Sequence, residues 1–124
     1  MIIRYKKTFE KIAMGLLSFM PAEKNLKVLQ ATIKQYETED SWQLFLWKDE
    51  EDIIGLIGIY IVDENTISIQ HISVNPSHRQ QGVGKAMVQG IRSLYPNKDI
   101  QANELVLEFY SKCKDIVEKE NMNL

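Results

Sequence analysis

The chain changes its hydrophobic period several times, and each change marks an element. Ile2 to Tyr5 reads as a short opening strand, after which Thr8 stands where a helix cap is expected. Phe9, Ile12, Ala13, Leu16, Leu17 and Met20 then share one helical face, and Pro21 ends the run. A second helix is predicted from about Glu23 to Thr38, with Leu26, Leu29, Ile33 and Tyr36 at helical spacing. From Trp42 the pattern is that of strands: Trp42 to Lys48, then Ile53 to Val62 with Gly55 and Gly58 inside it, then Thr66 to Val74. Asp49 to Asp52 and Asp63 to Asn65 supply the turns, so these three strands form an antiparallel meander. Val83, Met87, Ile91 and Leu94 mark the buried face of a further helix. Ile100 to Ala102 is a short strand, which a right-handed crossover would lay parallel to the third meander strand. A last helix is expected from Leu105 to about Val117.

The third meander strand breaks its own alternation. Ile67 and Ile69 share one face, and so do Ile72 and Val74, but the two pairs are out of phase. Keeping all four on the core requires one extra residue between positions 69 and 72, a β-bulge, although a bend or a strand end would also serve.

Composition narrows the function classes. A length of 124 residues with 44% hydrophobic content suits a single domain, residues 1–124, with a real core. The net charge of −2 and the scattered basic residues argue against a nucleic-acid footprint. No apolar run approaches the roughly 18 residues of a membrane span, and the N-terminal residues lack a signal-peptide layout. A single cysteine, Cys113, excludes an internal disulfide and fits a cytoplasmic location. The histidines at 71 and 78 and that cysteine give no metal-ligand spacing, so no metal is expected. Asp49-Glu50-Glu51-Asp52 reads as a solvated hairpin tip, and Trp42, Phe45 and Trp47 as packing residues.

The chemistry concentrates in Arg79-Gln80-Gln81-Gly82-Val83-Gly84-Lys85, between a strand and a helix. Helix-initial amides lack intrahelical partners, the helix dipole adds positive potential, and glycine lets a ligand approach the backbone. Such a place binds phosphate or pyrophosphate. The P-loop pattern fails at Arg79 and Ala86, and the dinucleotide fingerprint fails at Met87. What remains is R-x-x-G-x-G.

That pattern resembles the acyl-CoA pyrophosphate loop of the GNAT superfamily of N-acetyltransferases. Asn103, Val106, Phe109 and Tyr110 give N-x-x-V-x-x-F-Y, similar to the N-x-x-A-x-x-F-Y that GNAT proteins commonly carry after their short parallel strand. The element order also looks like the GNAT fold. The resemblance implies an α/β (α+β) architecture: a mixed, mostly antiparallel sheet flanked by helices, with a bulged strand before the CoA loop. It implies acetyl-CoA as co-substrate and direct transfer to the amine of a small molecule or protein. Ile72, Ser73 and Val74 would offer backbone to the pantetheine arm, and the amides around Gln80, Gln81, Gly82, Val83, Gly84 and Lys85 would hold the pyrophosphate. Arg79 or Lys85 would add charge, Asn103 would touch the pantetheine or cap the last helix, and Tyr110 would protonate the leaving thiolate. Residues 14–21 and 71–79 further resemble acetyltransferase-like GNAT members encoded in bacterial riboflavin operons, which implies a link to riboflavin biosynthesis.

Two departures from the family pattern stand out. The glutamate common near the start of the bulged strand is replaced by Ser68, a poor base; His71, sharing a face with Ser73, is the alternative candidate, and a hydrogen-bonded strand histidine is the plain reading. Lys114 and Asp115 stand where a Gly-Phe pair is usual, and the customary last hairpin is expected to be missing. An acceptor site built without that hairpin is open, shared with a second subunit in a homodimer, or absent. The competing reading is therefore a CoA-binding sensor or partner protein without transferase activity.

Overall fold

The computed structural model describes residues 1–20, 25–79 and 81–102. Its strands are β1 (Ile2–Arg4), β2 (Trp42–Asp49), β3 (Asp52–Ile61), β4 (Thr66–Val74) and β5 (Asp99–Ala102); its helices are α1 (Glu10–Leu17), α2 (Leu26–Thr38) and α3 (Val83–Leu94). The five strands form one sheet in the order β1-β2-β3-β4-β5. All neighbours are antiparallel except β4 and β5, which are parallel. The expected strand between Ile100 and Ala102 is thus present, one residue longer, and runs in the expected direction. Asn103, Tyr110 and the expected last helix lie outside the described residues, as do Pro21, the predicted helix start at Glu23, and Gln80.

Each face of the sheet carries its own apolar layer. On one side α1 and α2 bring Ala13, Leu16, Leu17, Leu29, Ile33 and Tyr36 against Leu44, Leu46 and Leu56. On the other, α3 brings Val83, Met87, Val88 and Ile91 against Phe45, Ile57, Ile59, Ile67, Ile69, Ile72 and Val74. Burial of this apolar surface is the main force fixing the helices to the sheet.

Three local expectations are corrected. Thr8 is not a cap: Lys7–Phe9 form a 3-10 turn, and α1 starts at Glu10 without a capping side chain. The turn is closed by Phe9 N–H donating to Lys6 C=O (2.8 Å). Lys7 Nζ reinforces it by bridging Glu10 (2.5 Å) and Glu37 (3.2 Å). Second, α2 begins at Leu26, where Asn25 Oδ1 accepts from Lys27 N–H (2.8 Å). Third, Ile12, Leu26 and Leu94 are exposed although their spacing put them on core faces. Leu26 and Leu94 are the terminal residues of their helices, where less of the sheet lies beneath them.

Candidate active site

The β4 strand resolves the phase conflict with a bulge. Ile69 pairs with Ile59 and His71 with Gly58, so Gln70 is the extra residue. Ile67, Ile69, Ile72 and Val74 all face the α3 layer as a result. His71 and Ser73 take the opposite face, where Ser73 Oγ–H donates to Leu16 C=O (2.7 Å). Pairing between β4 and β5 ends at Ile69 and Ala102, so among the described residues no strand pairs with the β5 side of β4 beyond the bulge.

The polarity of that open edge follows from the ladder. Asn75 N–H donates to Ile54 C=O (2.8 Å), which fixes this pair as a hydrogen-bonded one. Such pairs alternate along an antiparallel ladder. Ser73 opposite Leu56 and His71 opposite Gly58 therefore direct their amides and carbonyls to β3. Ile72 and Val74 direct theirs to the open edge. Arg79 Nε–H reaches back to Val74 C=O at 3.3 Å, which agrees with that orientation.

The glycine-rich turn lies directly beyond this edge. Asn75 Oδ1 accepts from Ser77 N–H (2.9 Å) and starts a 3-10 turn over Pro76–His78. Gly82 then caps α3 with φ of +80°, in the left-handed region that favours glycine. The first intrahelical bond is Ala86 N–H to Gly82 C=O (2.9 Å), so the amides of Val83 and Gly84 precede it. No acidic residue occupies the first turn of α3. Nothing there opposes the positive end of the helix dipole. Gly55 lets that helix start sit close on β3: a Cβ at this position would lie 3.0 Å from Met87 Sδ and 3.1 Å from Val83 Cγ1. Gly55 is also the ladder partner of Val74, so one glycine brings the helix N-terminus to the end of the open strand.

The arrangement joins Ile72, Val74, Gln81, Gly82, Val83, Gly84 and Lys85 along one path. Ser73 shares the strand but presents its side chain to α1. Arg79 folds its guanidinium 5.9 Å from the Phe19 ring centroid, a contact the spacing of the motif did not reveal.

His71 is buried, and its Nδ1 lies 2.5 Å from Tyr36 Oη. Tyr36 stacks edge-on against both His71 and Trp42, with centroids 5.5 Å apart in each case. Sequence reading assigned Tyr36 only to the core face of α2. The glycine at 58 was the available signal, since a Cβ there would collide with the Tyr36 hydroxyl. Ser68 Oγ accepts from Gln70 Nε2–H (2.9 Å), so the position of the usual glutamate holds a neutral polar pair. No cluster of three or more His, Cys, Asp or Glu side chains among the described residues could hold a metal ion. No described helix is long and apolar enough to cross a membrane.

Comparison with known proteins adds identity to this geometry. A model of the acetyltransferase (GNAT) family matches residues 10–114. An uncharacterized N-acetyltransferase from the lysA 3′ region of Bacillus methanolicus is 65% identical over 114 residues, covering 92% of this chain and 95% of its own. N-acetyltransferase 8 of Homo sapiens is 29% identical over 80 residues, which span 60% of this chain and 34% of that one. Among solved structures, the aminoglycoside N-acetyltransferase AAC(6′)-Iy in complex with CoA superposes with a TM-score of 0.70 at 18% identity, covering 83% of this chain and 75% of its own. The same enzyme bound to the bisubstrate analogue CoA-S-monomethyl-acetylneamine gives 0.70 at 19% identity, covering 91% and 88%.

Proposed function

The chain belongs to the acetyltransferase (GNAT) family, and from that premise we propose that it moves an acetyl group from acetyl-CoA directly to an amine, using the β4 edge and the α3 N-terminus as its cofactor site. The observation that carries this reading is the meeting of a strand edge that no described strand pairs with and a glycine-capped helix start at +80°. A pantetheine arm has amides that pair with an open strand. A pyrophosphate suits helix-initial amides. Ile72 and Val74 take the first task, and Gln81 to Lys85 the second. Gln80 and Asn103 complete the site on the strength of the family pattern. Acetyl-CoA supplies the acetyl group as a thioester.

The residues of the chain then hold an amine against that carbonyl and manage two protons. Positioning converts a bimolecular attack into a local one. Tyr110 returns a proton to the departing thiolate, as the F-Y pattern implies. His71 is the candidate acceptor of the amine proton at Nε2, directly or through water; in that tautomer Nδ1–H donates to Tyr36 Oη. Trp42 is the candidate platform for an aromatic acceptor such as a flavin precursor, consistent with the riboflavin-linked resemblance.

Calorimetric titration with acetyl-CoA tests the site, with Gln81→Asp as the variant, because Gln81 is exposed and its replacement strains no backbone. Micromolar binding by the wild type and at least tenfold weaker binding by folded Gln81→Asp are expected, roughly the cost of one repelled charge. Thiol release with a panel of small amines, peptides and flavin precursors then tests transfer. Tyr110→Phe should lower turnover about 10² to 10⁴-fold with acetyl-CoA affinity kept. Binding without turnover on any amine would favour the sensor reading, and no binding at all would remove both.

A further inference from the structure

Tyr36 approaches β4 from α2, through a gap in the sheet that Gly58 leaves. A Cβ at Gly58 would overlap the Tyr36 hydroxyl and lie within 3.0 Å of Cε1. Gly58 is in turn the ladder partner of His71, the first residue after the bulge at Gln70. The hydroxyl meets His71 Nδ1 at 2.5 Å, and both residues are buried. Thus three elements, α2, β3 and β4, converge on the point where β4 leaves its pairing with β5. On the reading above, the next residues, Ile72 and Val74, are those that offer backbone to the pantetheine arm.

We propose that Tyr36 is a positioning residue for the cofactor site: its hydrogen bond to His71 holds the β4 bulge and so fixes the edge amides of Ile72 and Val74. Tyr36 need not touch the ligand. A bulge adds local twist and can relax along the strand unless something pins it. Here the pin is a side chain set 35 residues away in sequence. Since one β4 face packs on α3 and the other is tied to α2, a shift at His71 moves the edge directly. The pyrophosphate turn starts after Asn75, which has its own bond to Ile54, and is insulated from that shift.

The inference rests on the pantetheine-edge reading, and two ligands separate the two. Acetyl-CoA and 3′-phospho-ADP share the phosphates, but only the first has the arm. Calorimetry of both on wild type and Tyr36→Phe gives the test. The Tyr36→Phe protein should lose about threefold to tenfold in acetyl-CoA affinity, the scale of one hydrogen bond, and should bind 3′-phospho-ADP as the wild type does. Tyr5→Phe, which cuts a different tether to α2 at Glu37 (2.8 Å), should leave both affinities unchanged.

Equal loss for both ligands, or loss for neither, in Tyr36→Phe would overturn the inference alone. A wild type that binds acetyl-CoA no more tightly than 3′-phospho-ADP would overturn the pantetheine-edge reading and the inference with it. Should Tyr36→Phe fold poorly, His71→Gln and His71→Ala give the same contrast. Glutamine can bond the hydroxyl and should keep more acetyl-CoA affinity than alanine; equal affinities would count against the proposal.

Discussion

At the scale of single residues, the chain uses side-chain hydroxyls as ties between layers, and each tie has a distinct chemical signature. Tyr5 Oη–H donates to Glu37 Oε2 at 2.8 Å, joining the end of β1 to α2. Burial pushes the Tyr5 phenol well above its usual range, and the hydrogen bond to Glu37, then the charges of Glu37 and Glu10, push the same way. Lys7 is also raised, by its hydrogen bonds to Glu10 and Glu37. A pKa raised on folding means that the folded state holds the proton more tightly than the unfolded chain. The associated stability is complete below the unfolded value, about 10 for tyrosine, and is lost as the pH rises beyond it. Urea midpoints measured from pH 8 to 11 should therefore fall at the alkaline end for the wild type. The fall should be shallower for Tyr5→Phe, with the exposed Lys7 pair contributing little. An identical alkaline slope in the variant would show that Tyr5 is not the group responsible.

At the scale of elements, β4 shows both how far the sequence could be read and where reading stopped. Four apolar residues out of phase pointed to an extra residue between 69 and 72, with a bend or a strand end as the alternatives, and Gln70 is that residue. The glycine-rich turn was equally legible, because a left-handed cap at a helix start restricts the residue type and Gly82 meets it. The helix ends were harder. Thr8 and Leu26 obey local rules, but a 3-10 turn tied by Lys7 and an Asn25 cap moved the starts of α1 and α2. Tyr36 was hidden for a different reason: periodicity reports which face a residue takes, whereas its hydroxyl finds His71 only through the three-dimensional gap at Gly58. The bulge itself can be tested. Deleting Gln70 restores strict alternation and a regular ladder with β3, so Ile67, Ile69, Ile72 and Val74 all stay on the α3 face of an unbulged strand. The core keeps all four side chains, and what is lost is the local twist that the bulge gives β4 beside the proposed cofactor edge. The deletion should therefore keep cooperative unfolding, read by circular dichroism against temperature, while lowering acetyl-CoA affinity, read by calorimetry. A deletion variant without a cooperative transition would show that the fold itself needs the bulge, and one that binds acetyl-CoA like the wild type would show that the site does not.

At the scale of the whole molecule, one sheet separates two apolar layers, and the proposed cofactor site depends on both. Ile72, Val74 and Val83 belong to the α3 layer, while the bulge that exposes the edge is held from the α2 side. The two layers also share strands: Leu44 and Leu46 of β2 face α1 and α2, and Phe45 between them faces α3. Stripping either layer would leave half of the same strands' side chains uncovered, so the layers should unfold together. The protein's two tryptophans allow a direct check, since Trp42 packs on the α1–α2 layer and Trp47 on the α3 layer. Trp42→Phe and Trp47→Phe each leave a single reporter on a known face. In each variant, the fluorescence transition in urea should coincide with that variant's own transition by circular dichroism. Acetyl-CoA at about 100 times its dissociation constant should then stabilise each protein by about 2.7 kcal/mol, because the ligand binds only the folded state. A fluorescence transition that precedes the loss of helix in either variant would show that one layer opens alone. A ligand shift seen by the Trp47 reporter and not by the Trp42 reporter would mean that the α2 layer is not coupled to the cofactor site, against the role given to Tyr36.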